Sequence, residues 1–494
     1  MTDAASPDPQ SAGREERVDL VIIGAGPAGT AAIETLAPYG LSIIVVDEQP
    51  RPGGQIYRQP PESFTVKNWL KGGLYREGLA RLSAVSRMPD VRWRFSTTAL
   101  GLFESEDGAS RRLWVSGPEG TATICARAVL LAPGCYEMPT PFPGWDLPGV
   151  MGAGGVQAFV KSQQFVPGER FVFAGAHPLQ LIVADQVRAA GGRVEAVVFA
   201  QSAWRALSAA RDPLTVLRHA PKFMEAAKAF MRLRAAGVKM MFESVIVAAE
   251  GEGAVEGARV SPSGSAHDGA AARAHKSLPC DVLALCYGFL PSSELARQAG
   301  ARVDWDRQGG GWVVNHDAYM RSTVDGLYVA GEITGVAGAE VAAEEGRLAA
   351  LGVLADLERL APDETAAKRR PVMRKLRTLN AFARLLRRMS APPEGVIERL
   401  ADADTIICRC ELVSRGGLER LLEEAPHINT ADGAKLACRV GMGLCQGRYC
   451  SQTVTRLIAA ARGIDETEAG GFAARAPVKP VLLSDIVGAD TLID

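Results

Sequence analysis

The sequence carries no surplus of either charge: 55 Lys and Arg stand against 56 Asp and Glu, a net charge of −1. That balance gives no bulk attraction to nucleic acid or to an anionic membrane. No apolar run reaches the roughly 18 residues that a membrane-spanning helix needs. Histidine is scarce, six in 494 residues, and the six are scattered without metal-ligand spacing. No Ser/His/Asp set or paired-carboxylate site stands out, so no residue is expected to serve as a catalytic acid, base or nucleophile. Residues 18–124 contain no cysteine, and the stretch 146–299 has no C-x-x-C, which removes the usual places for a redox dithiol. Residues 1–17, rich in Ser, Pro, Asp and Gln, lack the apolar core of a signal peptide and read as a disordered lead-in, so a cytoplasmic protein is expected.

What is present begins with Val21-Ile22-Ile23-Gly24-Ala25-Gly26-Pro27-Ala28-Gly29. An apolar strand before Gly24 and a helix through Leu36 make this the opening of a βαβ unit. Gly24 supplies the tight turn, Gly26 lets backbone approach a pyrophosphate, Pro27 and Ala28 are expected beside it as cofactor contacts, and Gly29 lets helix pack on strand. A second strand, 42–46, ends in Asp47-Glu48, where an acidic side chain can accept ribose hydroxyls. Gly54 and Gln55 follow in a glycine turn. Segments 91–103 and 111–117 read as a hairpin or meander, and an apolar strand at 128–131 runs into Ala132-Pro133-Gly134.

A second strand–turn–helix starts at Phe171, but only its first glycine, Gly175, survives. His177 occupies the place of the second glycine and Gln180 that of the third, and the strand 194–199 ends without an acid. NAD(P) is therefore not expected to bind there in the usual way. Residues 203–236 read as helices with Arg and Lys on one face, a solvated face or subunit contact in preference to a membrane surface. Residues 251–274 read as a hairpin loop and 282–286 as a buried strand. The strand 323–330 stops abruptly at Gly331-Glu332, placing the Glu332 carboxylate near a second part of the same dinucleotide. An Ala-rich helix, 340–354, follows, with Glu340, Glu344 and Glu345 expected on its polar face; its N-terminus can stabilise negative charge.

Cys125, Cys135, Cys280 and Cys286 read as small core residues. The other five cysteines crowd together: Cys408-Arg409-Cys410, then Cys438, then Cys445-Gln446-Gly447-Arg448-Tyr449-Cys450. Four thiolates in two close pairs suit an iron–sulfur cluster or zinc. C-x-C is too tight for the usual zinc knuckle, and beside a dinucleotide site an electron-carrying [2Fe–2S] cluster makes better chemical sense. Cys408, Cys410, Cys445 and Cys450 are the expected ligands and Cys438 a bystander. Gly441, Gly443 and Gly447 would turn N–H groups toward the sulfurs.

These motifs, with Asp47-Glu48-Gln49-Pro50-Arg51-Pro52-Gly53-Gly54-Gln55-Ile56-Tyr57-Arg58 and Tyr328-Val329-Ala330-Gly331-Glu332, resemble the α (A) subunits of hetero-oligomeric FAD-dependent amino-acid dehydrogenases. That group includes opine oxidases, D-hydroxyproline and dye-linked proline dehydrogenases, and the corresponding (B) component of hydrogen cyanide synthase. The resemblance spans residues 18–465 and departs from the family at Pro133, His177 and Gln180.

It implies an α/β fold with two Rossmann-like domains of the glutathione-reductase type and a small, mainly helical, bacterioferritin-associated-ferredoxin-like C-terminal domain. The expected division is a lead-in (1–17), an FAD domain (18–145 with 300–360), a second Rossmann-like domain (146–299), a basic linker helix (361–400), the cluster domain (401–465) and a tail (466–494). It further implies FAD, a [2Fe–2S] cluster and, in some such complexes, an FMN at a subunit interface. The implied partners are a β subunit of the D-amino-acid-oxidase type, which oxidises the substrate, and in some complexes a small third subunit. Location peripheral to the inner membrane through the electron acceptor is compatible with this reading. The alternatives are a stand-alone NAD(P)H-dependent reductase and a non-catalytic assembly subunit.

Overall fold

The structure is a computed structural model that describes residues 16–61, 63–66, 73–88, 90–106, 108–265 and 276–487. The expected lead-in (through 15), the later half of the expected 251–274 loop and the last residues of the tail (488–494) lie outside the described residues.

The first sheet grows around β1 (Glu16–Ile23), which leads through a glycine turn into α1 (Pro27–Leu36) and β2 (Ile43–Val46). After α2 (Gly73–Val85) come β3 (Val91–Arg94), β4 (Thr98–Glu104), β5 (Arg111–Gly117) and β6 (Gly120–Leu131). The order is β3-β2-β1-β6-β5-β4, and β1, β2 and β3 run parallel. Only β4, β5 and β6 form the antiparallel meander. The expected hairpin or meander holds over 98–117 and is corrected at 91–94, where β3 registers Ile43 against Val91 and extends the parallel sheet instead. Alternate residues of β1 enter opposite cores. Leu20 and Ile22 face α1, while Val21 and Ile23 pack with Leu113 and Leu131 on the other side. The second half of this 8-residue strand, Leu20 to Ile23, is buried on both faces, as a sheet covered on both sides requires.

The chain then crosses by β7 (Cys135–Glu137) and β8 (Val150–Gly152) into α3 (Ala153–Lys161), β9 (Arg170–Gly175), α4 (Leu179–Ala189) and β10 (Arg193–Phe199). A 3-10 segment (Ala203–Arg211), α5 (Pro213–Arg218) and α6 (Ala220–Ala235) precede β11 (Lys239–Met241). The antiparallel trio β12 (Ser244–Glu250), β13 (Gly257–Pro262) and β14 (Lys276–Pro279) follows, and β13 shows that part of the expected loop is strand. With β15 (Val282–Cys286), the second sheet has the all-parallel order β11-β10-β9-β15-β8.

The return passes β16 (Phe289–Pro291), α7 (Glu294–Gln298), the β17–β18 hairpin (Val303–Asp306 and Gly311–Val314) and β19 (Leu327–Val329). β19 rejoins the first sheet beside β6, and α8 (Ala339–Asp356) packs back on α1. The 29-residue α9 (Pro362–Ser390), about 43 Å at 1.5 Å per residue, carries Leu376 and Leu379 into the α1–α8 core. Its far end pairs Arg388 with Asp212 beside α5, so α9 spans from the first sheet to the second. The remaining segment gathers α10 (Arg415–Glu424), α11 (Ala431–Cys438) and α12 (Ser451–Arg462) around its own small core of Ile407, Leu418, Val454 and Ile458. No helix among the described residues is long and apolar enough to cross a membrane.

Candidate functional site

The glycine turn owes its shape to two close approaches. Gly24 sits at φ +104°, and a Cβ there would lie 2.1 Å from the Ala132 carbonyl oxygen. A Cβ on Gly29 would lie 2.0 Å from the Gly24 oxygen. Those contacts bring β1, β6 and the start of α1 together, and Gly54, at φ +57°, packs directly on Gly26, where a Gly54 Cβ would lie 2.9 Å from the Gly26 Cα. The N-terminus of α1, opened by Pro27, has no side-chain cap, which leaves its N–H groups for an anion.

A cavity of about 3110 Å³ lies over this turn. It is lined by Gly24, Gly26, Pro27, Ala28, Asp47, Glu48, Gly54, Gln55, Ala132, Gly134, Gly331 and Glu332. Gly29, the remaining expected cofactor residue, lies behind the wall, where it sets the packing of helix on strand. The two carboxylates at the end of β2 divide their work. Asp47 spends its oxygens on the backbone, accepting from Ala25 N at 2.6 Å and Gln49 N at 2.7 Å. Burial pushes its carboxyl up from the ordinary range, against those two hydrogen bonds. Glu48, more exposed, forms an ion pair with Lys479 from the end of the chain.

Glu332 lines the cavity, and its carboxylate is also committed, accepting from Ala337 N and Gly338 N at 2.9 Å each. The neighbouring helix corrects the expected polar face. Glu344 and Glu345 are buried, at 3% and 8% exposure. Glu345 accepts from Gly331 N and from Thr334 Oγ1, both at 2.8 Å, and burial pushes it up to about 7. Glu344 is held by Arg347 and Lys375, each at 2.8 Å. Only Glu340 remains exposed, paired with Lys222. Cys135 is likewise not core packing: it lines the cavity beside Glu332 and Glu137, and burial with those two carboxylates pushes its thiol up.

Around the second turn, the N–H groups of Ala176 and His177 both donate to the Cys286 carbonyl at 3.0 Å. The His177 ring accepts from Leu179 N at 3.2 Å and stacks edge-on with Phe289, and burial pushes it down to about 4. Gln180 is fully buried.

The four cysteines come from a β-strand end, two loops and the foot of a helix. The structure brings them together as two neighbouring pairs, Cys408 beside Cys450 and Cys410 beside Cys445. The Cys450 thiol, then the N–H groups of Gly441, Glu411 and Cys410, hold Cys408 down to about 6 against its burial. The first of these N–H groups lies 3.5 Å from the Cys408 sulfur. Cys450 is pushed well up by the same partner. N–H groups of Tyr449 and Gly447 point at Cys445. Cys438 donates instead to Ala434 O of its own helix at 3.2 Å. Among the described residues no group of three or more His, Cys, Asp or Glu side chains is disposed to hold a metal ion.

Arg448, Tyr449 and Gln452 line the same cavity as the glycine turn. The link between the two sites runs through Tyr136, whose OH donates to Glu294 at 2.8 Å, and no sequence signal announced it.

A mixed sheet with a parallel core and an all-parallel second sheet, with one uncapped glycine turn at the strand ends, define a dinucleotide-binding oxidoreductase. The chain belongs to the pyridine nucleotide-disulphide oxidoreductase family, whose model matches residues 18–346. It is 32% identical over 483 residues to the A-type subunit of opine oxidase from Rhizobium meliloti, covering 95% of this chain and 87% of the relative. It is 33% identical over 469 residues to the hydrogen cyanide synthase subunit HcnB of Pseudomonas aeruginosa, covering 94% and 97%. Among solved structures, L-proline dehydrogenase from P. horikoshii matches with a TM-score of 0.66 at 20% identity, covering 96% of this chain and 80% of that one.

Proposed function

We propose that the chain is the electron-transfer subunit of a hetero-oligomeric dehydrogenase or oxidase that acts on a secondary amine or amino acid. An FAD occupies the cradle at Gly24–Gly29, a [2Fe–2S] cluster the four cysteines, and substrate is oxidised on a partner subunit of the D-amino-acid-oxidase type. When bound, the flavin supplies two-electron and the cluster one-electron acceptance. The observation that carries the reading is the shared cavity: the glycine cradle and the loop holding Cys445 and Cys450 open onto one space.

The turn and the paired cysteines support this reading. The turn presents the uncapped helix N-terminus that a pyrophosphate takes, and Gly26 and Gly54, packed on each other without side chains, leave bare backbone on the cavity wall. A two-iron cluster takes two thiolates at each iron, so a paired set suits it better than a single ion. The N–H groups directed at Cys408 and Cys445 suit sulfurs that carry negative charge. The chain's own residues bind and orient: Asp47 braces the turn, Glu332 braces the loop before α8, and Glu345 holds Gly331.

The relatives' names as oxidase and synthase subunits support an assembly. An FMN at an interface, or a small third subunit, is compatible with this reading, as is attachment to a membrane through the acceptor. A stand-alone NAD(P)H-dependent reductase is disfavoured because Cys286 consumes the N–H groups of the second turn.

The test is a spectrum and an assay of the purified full-length chain. Flavin bands with a cluster shoulder, and amine-dependent dye reduction only after a partner flavoprotein is added, are expected. Dye reduction by the chain alone overturns the division of labour, and a colourless, iron-free protein leaves an assembly subunit.

A further inference from the structure

Beyond the four-cysteine segment the chain turns back to the first sheet. Phe472 is buried in the small core with Cys408 and Cys450. Six residues later, Val478 N donates to Leu100 O of β4 at 2.7 Å, and the Val478 side chain is buried with Val46 and Val129. The Val478 carbonyl accepts from Arg448 of the cysteine loop. Further on, the Asp485 carboxylate accepts from Ser116 Oγ at 2.7 Å, and its carbonyl accepts from Thr121. Between these anchors Lys479 pairs with Glu48 and lies close enough to Asp47 to act on its charge. Val478 and Lys479 line the cavity together with Glu48, Thr97 and Ala99.

We infer that residues 472–487 are a strap forming the wall at the adenosine end of the dinucleotide site, with Lys479, held by Glu48, its ligand-facing residue. The inference rests on the reading that the cradle takes an FAD. In a Rossmann unit the pyrophosphate lies on the glycine turn and the ribose beside the acid at the end of the second strand. Cavity wall beyond Glu48 is therefore adenosine wall. Asp47 is committed to the backbone, so Glu48 is the carboxylate that remains for a ribose, and it reaches the ligand already paired. A ribose diol meets an acceptor in Glu48 and a donor in Lys479, and the Lys479 stem adds apolar cover.

Lys479 and Glu48 keep 30% and 43% of their side-chain surface exposed, so the pair itself contributes little to folding. The strap is held by Val478 and Asp485, which allows Lys479 to be changed without releasing it.

The experiment titrates full-length apoprotein with FAD and, separately, with FMN, which carries the same ring but no adenosine. Lys479→Gln raises the FAD dissociation constant about tenfold and leaves that for FMN within about twofold. FAD, and not FMN, slows tryptic cleavage after Arg475, the exposed basic residue of the strap that is not followed by proline. Equal loss of both ligands, or unchanged FAD affinity and proteolysis, overturns the strap. If the unaltered chain fails to bind FAD, the dinucleotide reading itself falls, and the strap with it.

Discussion

Arg448 reaches Glu294 at 3.8 Å and thereby joins the loop between Cys445 and Cys450 to the helix beside the dinucleotide cavity. Both side chains are shielded, at 14% and 16% exposure. Arg448 Nη1 also donates to the Cys445 carbonyl at 3.1 Å, and Glu294 accepts from Tyr136 at 2.8 Å. A continuous polar chain thus runs from the cavity wall to the cysteine loop. Replacing Arg448 by Gln takes one of two nearby guanidinium groups, the other being Arg297, from the shielded Glu294 carboxylate, at a cost of about 1–3 kcal/mol. A double-mutant cycle with Glu294→Gln in denaturant melts is expected to show coupling of roughly 1 kcal/mol. Arg448→Lys does not restore it, because an ammonium cannot serve Glu294, Cys445 and Val478 together. Additive effects would disprove the link.

The two cysteine pairs should be separable from the flavin site. Cys445→Ser with Cys450→Ser removes one member of each pair and is expected to abolish iron while most of the FAD remains. Cys438→Ser keeps the iron, since that thiol is occupied by Ala434 O. Iron and flavin are counted on the same purified sample. Iron retained in the double variant, or lost with Cys438, contradicts the ligand assignment.

Gly29 offers a sharper test of the cradle than any polar residue there. A methyl at this position meets the Gly24 carbonyl oxygen at 2.0 Å, so α1 must move off β1 or the turn must open. Gly29→Ala is expected to cost about 1–3 kcal/mol of stability, as overpacking does, and to abolish flavin retention through gel filtration. Gly264→Ala, at an exposed position where no atom lies within 4 Å and the backbone is not left-handed, is the control and should keep its flavin.

How far the sequence spoke depends on how local each signal was. The first cradle was legible because turn, strand, helix and acid all lie within about thirty residues and each has its own physical requirement. The degraded second turn was legible for the same reason. The parallel pairing of β3 with β2 was not, because Val91 and Ile43 meet through a register that no local pattern encodes. The burial of Glu344 and Glu345 was missed because an Ala-rich helix gives no apolar stripe to say which carboxylates face inward. Tyr136 and Glu294, 158 residues apart, carry no motif at all. Lys479 pairs with Glu48 across 431 residues, in a tail whose composition suggested nothing.

Glu345 should leave a signature in the pH dependence of stability. Burial raises its carboxyl from 4.5 to about 7. A raised carboxyl favours the folded state while protonated, so its contribution is present below about 4.5 and is lost as pH rises through about 7. The loss is on the order of 3 kcal/mol. Glu345→Gln keeps an oxygen for Gly331 N and Thr334 Oγ1 and removes the ionisation. Its melting temperature should therefore exceed the parent's above about pH 8 and match it near pH 4.5. An equal difference at both pH values would show that the variant acts through packing instead.

The second sheet makes the least intuitive prediction, that repairing its turn will not create an NADH site. His177→Gly restores a glycine where a pyrophosphate would lie, and it removes a buried imidazole held down to about 4. That imidazole's contribution to stability is lost as pH falls from about 6.5 toward 4, so the variant should also resist mild acid better than the parent. Yet the N–H groups of Ala176 and residue 177 remain on the Cys286 carbonyl at 3.0 Å, and Gln180 still fills the contact between α4 and β9. Anaerobic stopped-flow mixing with NADH should accordingly show slow or no flavin bleaching in parent and variant alike. Rapid stoichiometric bleaching of the parent would mean that the second turn binds nucleotide despite His177. Bleaching of the variant alone would place the whole obstruction in the imidazole and none in the Cys286 hydrogen bonds.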